Sequence, residues 1–152
     1  GARFPGQKGV RGETRTTIQI LFEGDVRGLV YDNHNMVTEQ DDWFATFRFD
    51  GTEGAVKGTN GLLYDYPNGR EDTVALYSRR LQPHGWHEPV LEGKWFPHAF
   101  VGPMSELMRA IEENREPENS VEDNLITMQM VFAAYRSMKE RRVVELSEIA
   151  SG

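Results

Sequence analysis

The stretch from Trp95 to Leu146 decides the fold, and it reads WFPHAFVGPMSELMRAIEENREPENSVEDNLITMQMVFAAYRSMKERRVVEL. Apolar residues recur in it at the three- and four-residue spacing of an amphipathic helix. They form two groups: Met104, Leu107, Met108 and Ile111, then Leu125, Met128, Phe132, Tyr135 and Met138. The pattern predicts two helices joined by a proline-containing loop, with a short strand over Val143–Leu146 at the end.

The helix starts have sequence signals of their own. Ser120 precedes the second helix, and Asp123 follows three residues later in a capping-box arrangement. Pro103 is either the first residue of the first helix or a kink in a longer helix that starts at Pro97. The basic run after the second helix suits its C-terminus electrostatically.

Upstream of the helices the hydrophobic period changes from helical spacing to two, which predicts strands. The predicted strands are Thr16–Phe22, Val26–Asn33, Asp42–Phe49, Gly54–Lys57, Leu62–Tyr66 and Thr73–Ser78, joined by short turns. Residues 80–96 contain prolines and glycines and are interpreted as an ordered loop. Strands first and helices last predict an α+β fold, with a largely antiparallel open sheet and two C-terminal helices packed on one face.

The third predicted strand has aromatic residues on both faces. Trp43 and Phe47 alternate on one face, and Phe44 lies on the other. A sheet with one solvent-exposed face should alternate between apolar and polar residues along each strand. Aromatic residues on both faces therefore predict that both faces are buried against other parts of the protein or another subunit. We therefore expect Trp43, Phe44 and Phe47 to contribute to a homo-oligomer interface formed through the sheet.

Composition limits the classes of partner. The chain has 152 residues, a formal net charge of −7 and no cysteine. Acidic balance disfavours nucleic acid and anionic membrane surfaces as partners. The lack of cysteine removes disulfides and thiolate ligands, and it is compatible with the cytoplasm, where we expect the protein. No apolar run reaches the roughly 18 residues that indicate a membrane span.

Few residues carry a pattern that indicates chemistry. The chain has no G-x-G-x-x-G motif in a strand–turn–helix context, which predicts no cofactor site of its own. His84 and His87 could ligate a metal only with further ligands, so we expect no metal. Asn33, His34 and Asn35 end the second predicted strand. They predict either a polar substrate pocket or a simple strand end whose side chains satisfy a turn.

Three segments, WFPHAF, PMSELMRAIEENREP and SVEDNLITMQMVFAAYRSMKERRVVEL, resemble the C-terminal end of the glucose–fructose oxidoreductase / myo-inositol dehydrogenase (Gfo/Idh/MocA) family. The resemblance covers about Glu13 to Leu146. It implies a parent enzyme with an N-terminal Rossmann domain that binds NAD or NADP and an α+β second domain. It also implies reversible hydride transfer to a sugar, polyol or related carbonyl compound.

The same resemblance implies that this chain lacks the catalytic groups. The family takes its catalytic lysine from a Glu-Lys-Pro segment, and an Asp and a His four residues apart lie early in the second domain. Neither motif occurs here, so no catalytic residue is carried over. We expect residues 1–14 to form a flexible arm, residues 15–147 to be a substrate and oligomerisation domain fragment, and the Rossmann domain to be absent.

Two functions therefore stay open. One is the C-terminal domain of an NAD(P)-dependent oxidoreductase, which alone binds no cofactor and is inactive. The other is a stand-alone α+β binding or scaffold protein without redox activity. A Gly-rich βαβ unit encoded upstream would distinguish the first from the second.

Overall fold

The computed structural model describes residues 12–34, 45–64, 67–81 and 83–150. The strands are β1 (Arg15–Leu21), β2 (Arg27–Asn33), β3 (Thr46–Asp50), β4 (Gly54–Thr59), β5 (Thr73–Ser78) and β6 (Trp86–His87). The helices are α1 (Trp95–His98), α2 (Val101–Glu113), α3 (Val121–Glu140) and α4 (Ser147–Ala150). Strands precede helices and every pairing is antiparallel, which confirms the predicted α+β class.

The chain divides into two compact units. One contains residues 1–36 and 110–152, and the other contains residues 37–109. The strands divide in the same way, because β1 and β2 form a two-stranded sheet while β3 to β6 form a four-stranded sheet in sequence order.

The two-stranded sheet is a hairpin in the first unit. Ile18 pairs with Val30, and the 3-10 turn Glu23–Asp25 connects the strands. Gly24 and Asp25 both have positive φ, at 71° and 59°, in the left-handed region that Gly and Asp tolerate best. The predicted turn at these residues is confirmed.

The four-stranded sheet of the second unit has two chemically distinct faces. Its register places Phe47 opposite Gly58, Phe49 opposite Val56, and Val56 opposite Leu76. Since side chains alternate along a strand, these residues share one face, called here the apolar sheet face. The other face is the polar sheet face, which has Arg48, Asp50, Lys57, Tyr77 and Trp86.

One predicted strand is wrong. The start of the strand predicted over Leu62–Tyr66 lies instead in a 3-10 turn, Gly61–Leu63, and Asp65 and Tyr66 lie outside the described residues. Asn60 Oδ1 accepts a hydrogen bond from the Leu62 amide at 3.2 Å, and Asp72 Oδ1 accepts one from the Gly61 amide at 2.7 Å. Polar side chains thus take the backbone donors that a sheet ladder would need.

Other strand boundaries moved. β3 runs from Thr46 to Asp50, one residue past the predicted end, and residues 42–44 of the predicted strand lie outside the described residues. β4 continues two residues past its predicted end, to Thr59. Trp86 and His87, which were predicted to lie in a loop, pair with the end of β5.

Helix α3 begins as predicted, whereas α2 begins at Val101, which is neither of the two predicted starts, Pro103 and Pro97. Ser120 is the N-cap of α3, and its hydroxyl accepts a hydrogen bond from the Asp123 amide at 3.2 Å. Pro103 is the third residue of α2, inside the first turn, where a missing amide hydrogen costs no helical bond. Arg141 ends α3 in the left-handed conformation, with φ of 55°.

The predicted final strand is also wrong. Val143–Glu145 belongs to no strand, and the chain instead turns into the short helix α4 from Ser147. Arg142 holds the Glu148 carboxylate through two hydrogen bonds, of 2.9 and 2.6 Å. These bonds close the segment back onto the end of α3, which leaves it no strand to pair with.

The core of the described residues is small. Ala75, Ala110 and Ala133 are its buried apolar residues, and no large side chain is fully buried. Many large apolar side chains lie at least one third exposed. No described helix is long and apolar enough to cross a membrane.

Candidate functional site

The end of β2 carries a polar cluster. His34 follows the strand, and its amide donates a 2.8 Å hydrogen bond to the Thr14 carbonyl. Its Nε2 lies 3.2 Å from Asp32 Oδ2. Asn33 pairs with Arg15 across the hairpin, and Asn35 lies outside the described residues. The strand end therefore brings an imidazole and a carboxylate together.

This pairing can do limited chemistry. A carboxylate beside one imidazole nitrogen orients the ring and leaves the other nitrogen available to a hydroxyl or carbonyl group. The side chains of His34 and Asp32 are 71% and 48% exposed, so the pair lies at the surface and not in a pocket. Asn33 lies on the opposite face of the hairpin from Asp32, because neighbouring strand residues alternate.

Asp32 is the residue that sequence reasoning missed. It sits in the middle of the Tyr31-Asp32-Asn33 run, where it was taken as part of the strand. A signal existed in the two-residue separation of Asp32 and His34, since residues i and i+2 of an extended chain share a face.

The apolar sheet face is the second candidate surface. Phe47 and Phe49 lie with ring centroids 6.0 Å apart and planes tilted by 45°. Phe49 is 68% exposed, and Phe47 and Leu76 are each more than one third exposed. Of the three predicted interface residues, Phe47 lies on this face, and Trp43 and Phe44 lie outside the described residues.

His87 adds an unusual polar group to the apolar sheet face. It pairs with Leu76 at the edge strand β6. Its Nε2 is buried, and it has no hydrogen-bond partner within the described part of the chain. A buried ring nitrogen without a partner costs free energy, so His87 lowers the stability of this edge of the sheet.

The polar sheet face combines cations with aromatic rings. Lys57 Nζ lies 4.2 Å from the ring centroid of Trp86, and the Arg48 guanidinium carbon lies 5.8 Å from it. Tyr77 lies 5.9 Å from Trp86 between centroids. Arg48 also hydrogen-bonds Asp50, which raises the pKa of Arg48 and lowers that of Asp50. Such a surface can bind anionic or carbonyl groups through its cations and flat groups through Trp86.

A small cavity lies beside the Gly61–Leu63 turn. Its volume is about 20 Å³, enough for about one water molecule, and Leu62, Arg70, Asp72 and Trp95 are among its lining residues. Asp72 accepts hydrogen bonds from the amides of Gly61 and Trp95, at 2.7 and 2.5 Å. The carboxylate thus joins two loops, and the cavity is too small for a sugar or a nucleotide.

Metal binding has no geometric support in the described ranges. Within residues 12–34, 45–64, 67–81 and 83–150, no three His, Asp or Glu side chains come together as a metal site. His87 belongs to β6 and His84 to the bend before it.

Comparison of the chain with protein-family models, with curated proteins and with solved structures finds no match in any of the three.

Proposed function

We propose that this chain is the C-terminal domain of an NAD(P)-dependent oxidoreductase that acts on a sugar, polyol or related carbonyl compound. In this role it supplies walls of the substrate pocket and an oligomer interface, and it holds neither the cofactor nor a catalytic residue. The order of antiparallel strands followed by two long helices supports the proposal, together with the sequence resemblance over residues 13–146. A cytoplasmic location is part of the same proposal.

The exposed apolar sheet face is the observation that carries the interface role. Phe47, Phe49 and Leu76 lie together on one face of an open four-stranded sheet. Covering apolar surface gains about 25 cal/mol for each Å² removed from water, before the cost of association. A second copy laid against this face would bury these rings.

Light scattering coupled to size exclusion tests the interface. Phe49→Glu places a charge on the apolar sheet face, and Thr46→Glu places the same charge on the polar face of the same strand. We expect an oligomeric wild type, a dissociated Phe49→Glu variant and an oligomeric Thr46→Glu variant. A wild type that stays monomeric at high concentration would contradict the interface.

Calorimetry with NADH and NADPH tests whether the cofactor binds outside this chain, in the rest of the parent protein. The chain alone should bind neither nucleotide, because it lacks a Gly-rich loop at a helix N-terminus to cradle the pyrophosphate. The parent protein should bind one of them and reduce or oxidise a sugar or polyol. Micromolar binding by the chain alone would overturn the assignment of the cofactor to the parent's other domain.

The polar sheet face favours a second candidate function, a stand-alone α+β binding or scaffold protein. Lys57 and Arg48 beside the 40% exposed Trp86 form a surface that can bind a partner without any redox chemistry. The two functions differ in one measurement: only the oxidoreductase domain belongs to a protein with NAD(P)H-linked turnover. An encoded protein without such turnover, and without an upstream βαβ unit, would favour the binding protein.

A further inference from the structure

Helix α3 has a continuous apolar stripe on its exposed side. Val121, Leu125, Met128, Phe132 and Tyr135 are all between 48% and 73% exposed. They alternate at spacings of four and three residues, which is the heptad pattern of helices that pair with another helix. These five residues are called here the α3 stripe.

The side of α3 that the rest of the chain covers is a different one. Ala133 is 7% exposed, and Met130 and Ser137 on the same side are half-buried. At about 100° per residue this side lies opposite the α3 stripe. The helix therefore packs Ala133 against its own chain, although Ile126 on that side is 52% exposed. The side chains of the α3 stripe stay about half exposed or more, and the Tyr135 side chain is hydrogen-bonded to Glu13.

The charges of α3 are arranged for an antiparallel partner of the same sequence. Glu122 and Asp123 lie in its first turn, and Lys139 and Arg141 lie at its C-terminal end. Arg136 and Arg142 lie there too, but both are already paired with Glu140 and Glu148 of their own chain. A parallel copy would place like charges and like ends of the helix dipoles together. An antiparallel copy places acidic ends against basic ends, which favours that orientation over the parallel one.

We propose that the α3 stripe is a docking surface for a second copy of this chain, with the two α3 helices antiparallel and related by a two-fold axis that passes near Met130. In this register Leu125 lies opposite Tyr135 of the second copy, and Met128 lies opposite Phe132 of the second copy. These two layers, each formed twice, fill the centre of the pair in the knob-into-hole manner of coiled coils.

The same register also brings together residues that lie beside the α3 stripe. Glu122 lies opposite Arg136 of the second copy, and Gln129 lies opposite its own copy at the axis. Arg136 already contacts Glu140 at 2.8 Å and Glu148 at 3.4 Å, so Glu122 of the second copy would be the third carboxylate beside this guanidinium. Lys139 continues the stripe's spacing and lies opposite Val121 of the second copy, where its aliphatic stem covers the valine and its ammonium group stays in water.

This surface is on a different element from the apolar sheet face, so the proposal does not rest on the parent's activity. A helix of 20 residues is about 30 Å long, and its stripe extends from the first turn almost to the last. A protein with both surfaces could form assemblies larger than dimers. Each interface can be removed separately by its own substitution.

Thiol cross-linking tests the orientation directly, because the natural chain has no cysteine. Gln129→Cys should cross-link to its own copy with a short bismaleimide, since the two positions meet beside the axis. Val121→Cys should not, because the two copies of that residue would lie about 27 Å apart along the helices. Efficient linking of Val121→Cys with none of Gln129→Cys would replace the antiparallel arrangement by a parallel one and overturn the proposal.

Sedimentation of the whole chain tests the surface itself. Phe132→Glu puts a charge in the centre of the α3 stripe, and Thr127→Glu puts the same charge on an exposed position of the same helix outside it. Phe132→Glu should weaken association at least about tenfold and abolish the Gln129→Cys cross-link, and Thr127→Glu should change neither. Both variants keep their surface positions, so circular dichroism should show unchanged helix content.

The outcomes separate the two interfaces. Gln129→Cys is also introduced into the Phe49→Glu variant. If Phe49→Glu reduces the size of the assembly and the double variant still cross-links, α3 pairs independently of the sheet. If neither Gln129→Cys nor Val121→Cys cross-links in wild-type background at high concentration, the α3 stripe is not a self-docking surface and the proposal fails, whatever the sheet does.

Discussion

The Arg142 guanidinium donates hydrogen bonds to both carboxylate oxygens of Glu148 at the C-terminal end of α3. The distances are 2.9 Å from Nη1 to Oε1 and 2.6 Å from Nη2 to Oε2. The hydrogen bonds to Arg142 are the main reason that the pKa of Glu148 falls to about 2 and that the pKa of Arg142 rises. The Glu145 amide adds a 3.0 Å hydrogen bond to the same carboxylate. These three hydrogen bonds to the Glu148 carboxylate, called here the fork, order the segment between α3 and α4.

That fork predicts an acid-sensitive C-terminal segment. A carboxyl group whose pKa is lower in the folded state stabilises it fully above its ordinary pKa, and the contribution is lost as the pH falls through the folded value. The protection of the amides of Glu148 and Ile149, measured relative to intrinsic exchange at each pH, should therefore fall as the pH falls from about 4.5 toward 2. Carboxyl NMR titration of Glu148 measures the lowered pKa directly.

Substitution separates this ion pair from general acid effects. Glu148→Gln should speed amide exchange around α4 already at neutral pH and leave the rest of α3 protected. Glu145→Gln is the matched control, because only the backbone amide of Glu145 enters the fork. Both side chains remain partly accessible to solvent, so added salt should reduce the difference between wild type and Glu148→Gln. Equal exchange in the two variants would show that the fork does not order α4.

Asp72 should contribute more to stability than its neighbour Glu71. Its carboxylate accepts backbone hydrogen bonds from Gly61 and Trp95 and replaces the ladder bonds of the strand predicted there. Asp72→Ala should lower the free energy of unfolding by about 1–3 kcal/mol, since two amides lose their acceptor. Glu71→Ala, on the exposed neighbouring position, should cost less than about 0.5 kcal/mol. Urea denaturation measures both, and equal losses would contradict this role.

Two glycine substitutions should change stability in opposite directions. A methyl group on Gly58 would lie 2.5 Å from Phe47 Cζ and would also clash with the Thr73 carbonyl, so Gly58→Ala should destabilise by about 1–3 kcal/mol. Gly102 lies in the first turn of α2 with nothing within 4 Å of such a methyl group. Gly102→Ala should stabilise by up to about 1 kcal/mol, because alanine loses less backbone entropy in a helix. Thermal unfolding of both variants checks the two signs.

The His34–Asp32 pair should affect turnover in the parent enzyme if the strand end of β2 contacts substrate. His34→Ala should then lower kcat/KM about tenfold, which corresponds to the loss of one hydrogen bond worth about 1.4 kcal/mol. Asp32→Asn should have a smaller effect of the same kind, because it only orients the ring. His84→Ala is the control, since we predict that His84 lies farther from the pocket than His34 does. Unchanged kinetics and stability in His34→Ala would leave the strand end a purely structural role.

The sequence predicted elements wherever a local signal and a local bond coincide. Ser120 predicted the start of α3 because its hydroxyl caps an amide only three residues away. Glu23-Gly24-Asp25 predicted a turn because those residues tolerate positive φ. Thr73–Ser78 predicted β5 with the observed bounds, since its alternation matches a sheet with one apolar and one polar face.

Predictions failed where a distant residue redirects the backbone. Leu62–Tyr66 has the composition of a strand, yet Asp72, which is eleven residues from Gly61, binds the turn that forms there. Val143–Leu146 also has strand-forming residues, but Arg142 and Glu148 fold it back across six positions. Neither contact leaves a signal in the segment that it changes.

The sequence by itself determined the α+β class, the two amphipathic helices and the turns, because these follow from periodicity and from bonds within a few residues. Only the tertiary structure decided that the strands form two separate sheets. It also decided which side of α3 the chain covers, with Ala133 buried and Val121 and Phe132 exposed. Periodicity identifies an apolar stripe, but which side of a helix the chain covers depends on long-range packing that no local pattern encodes.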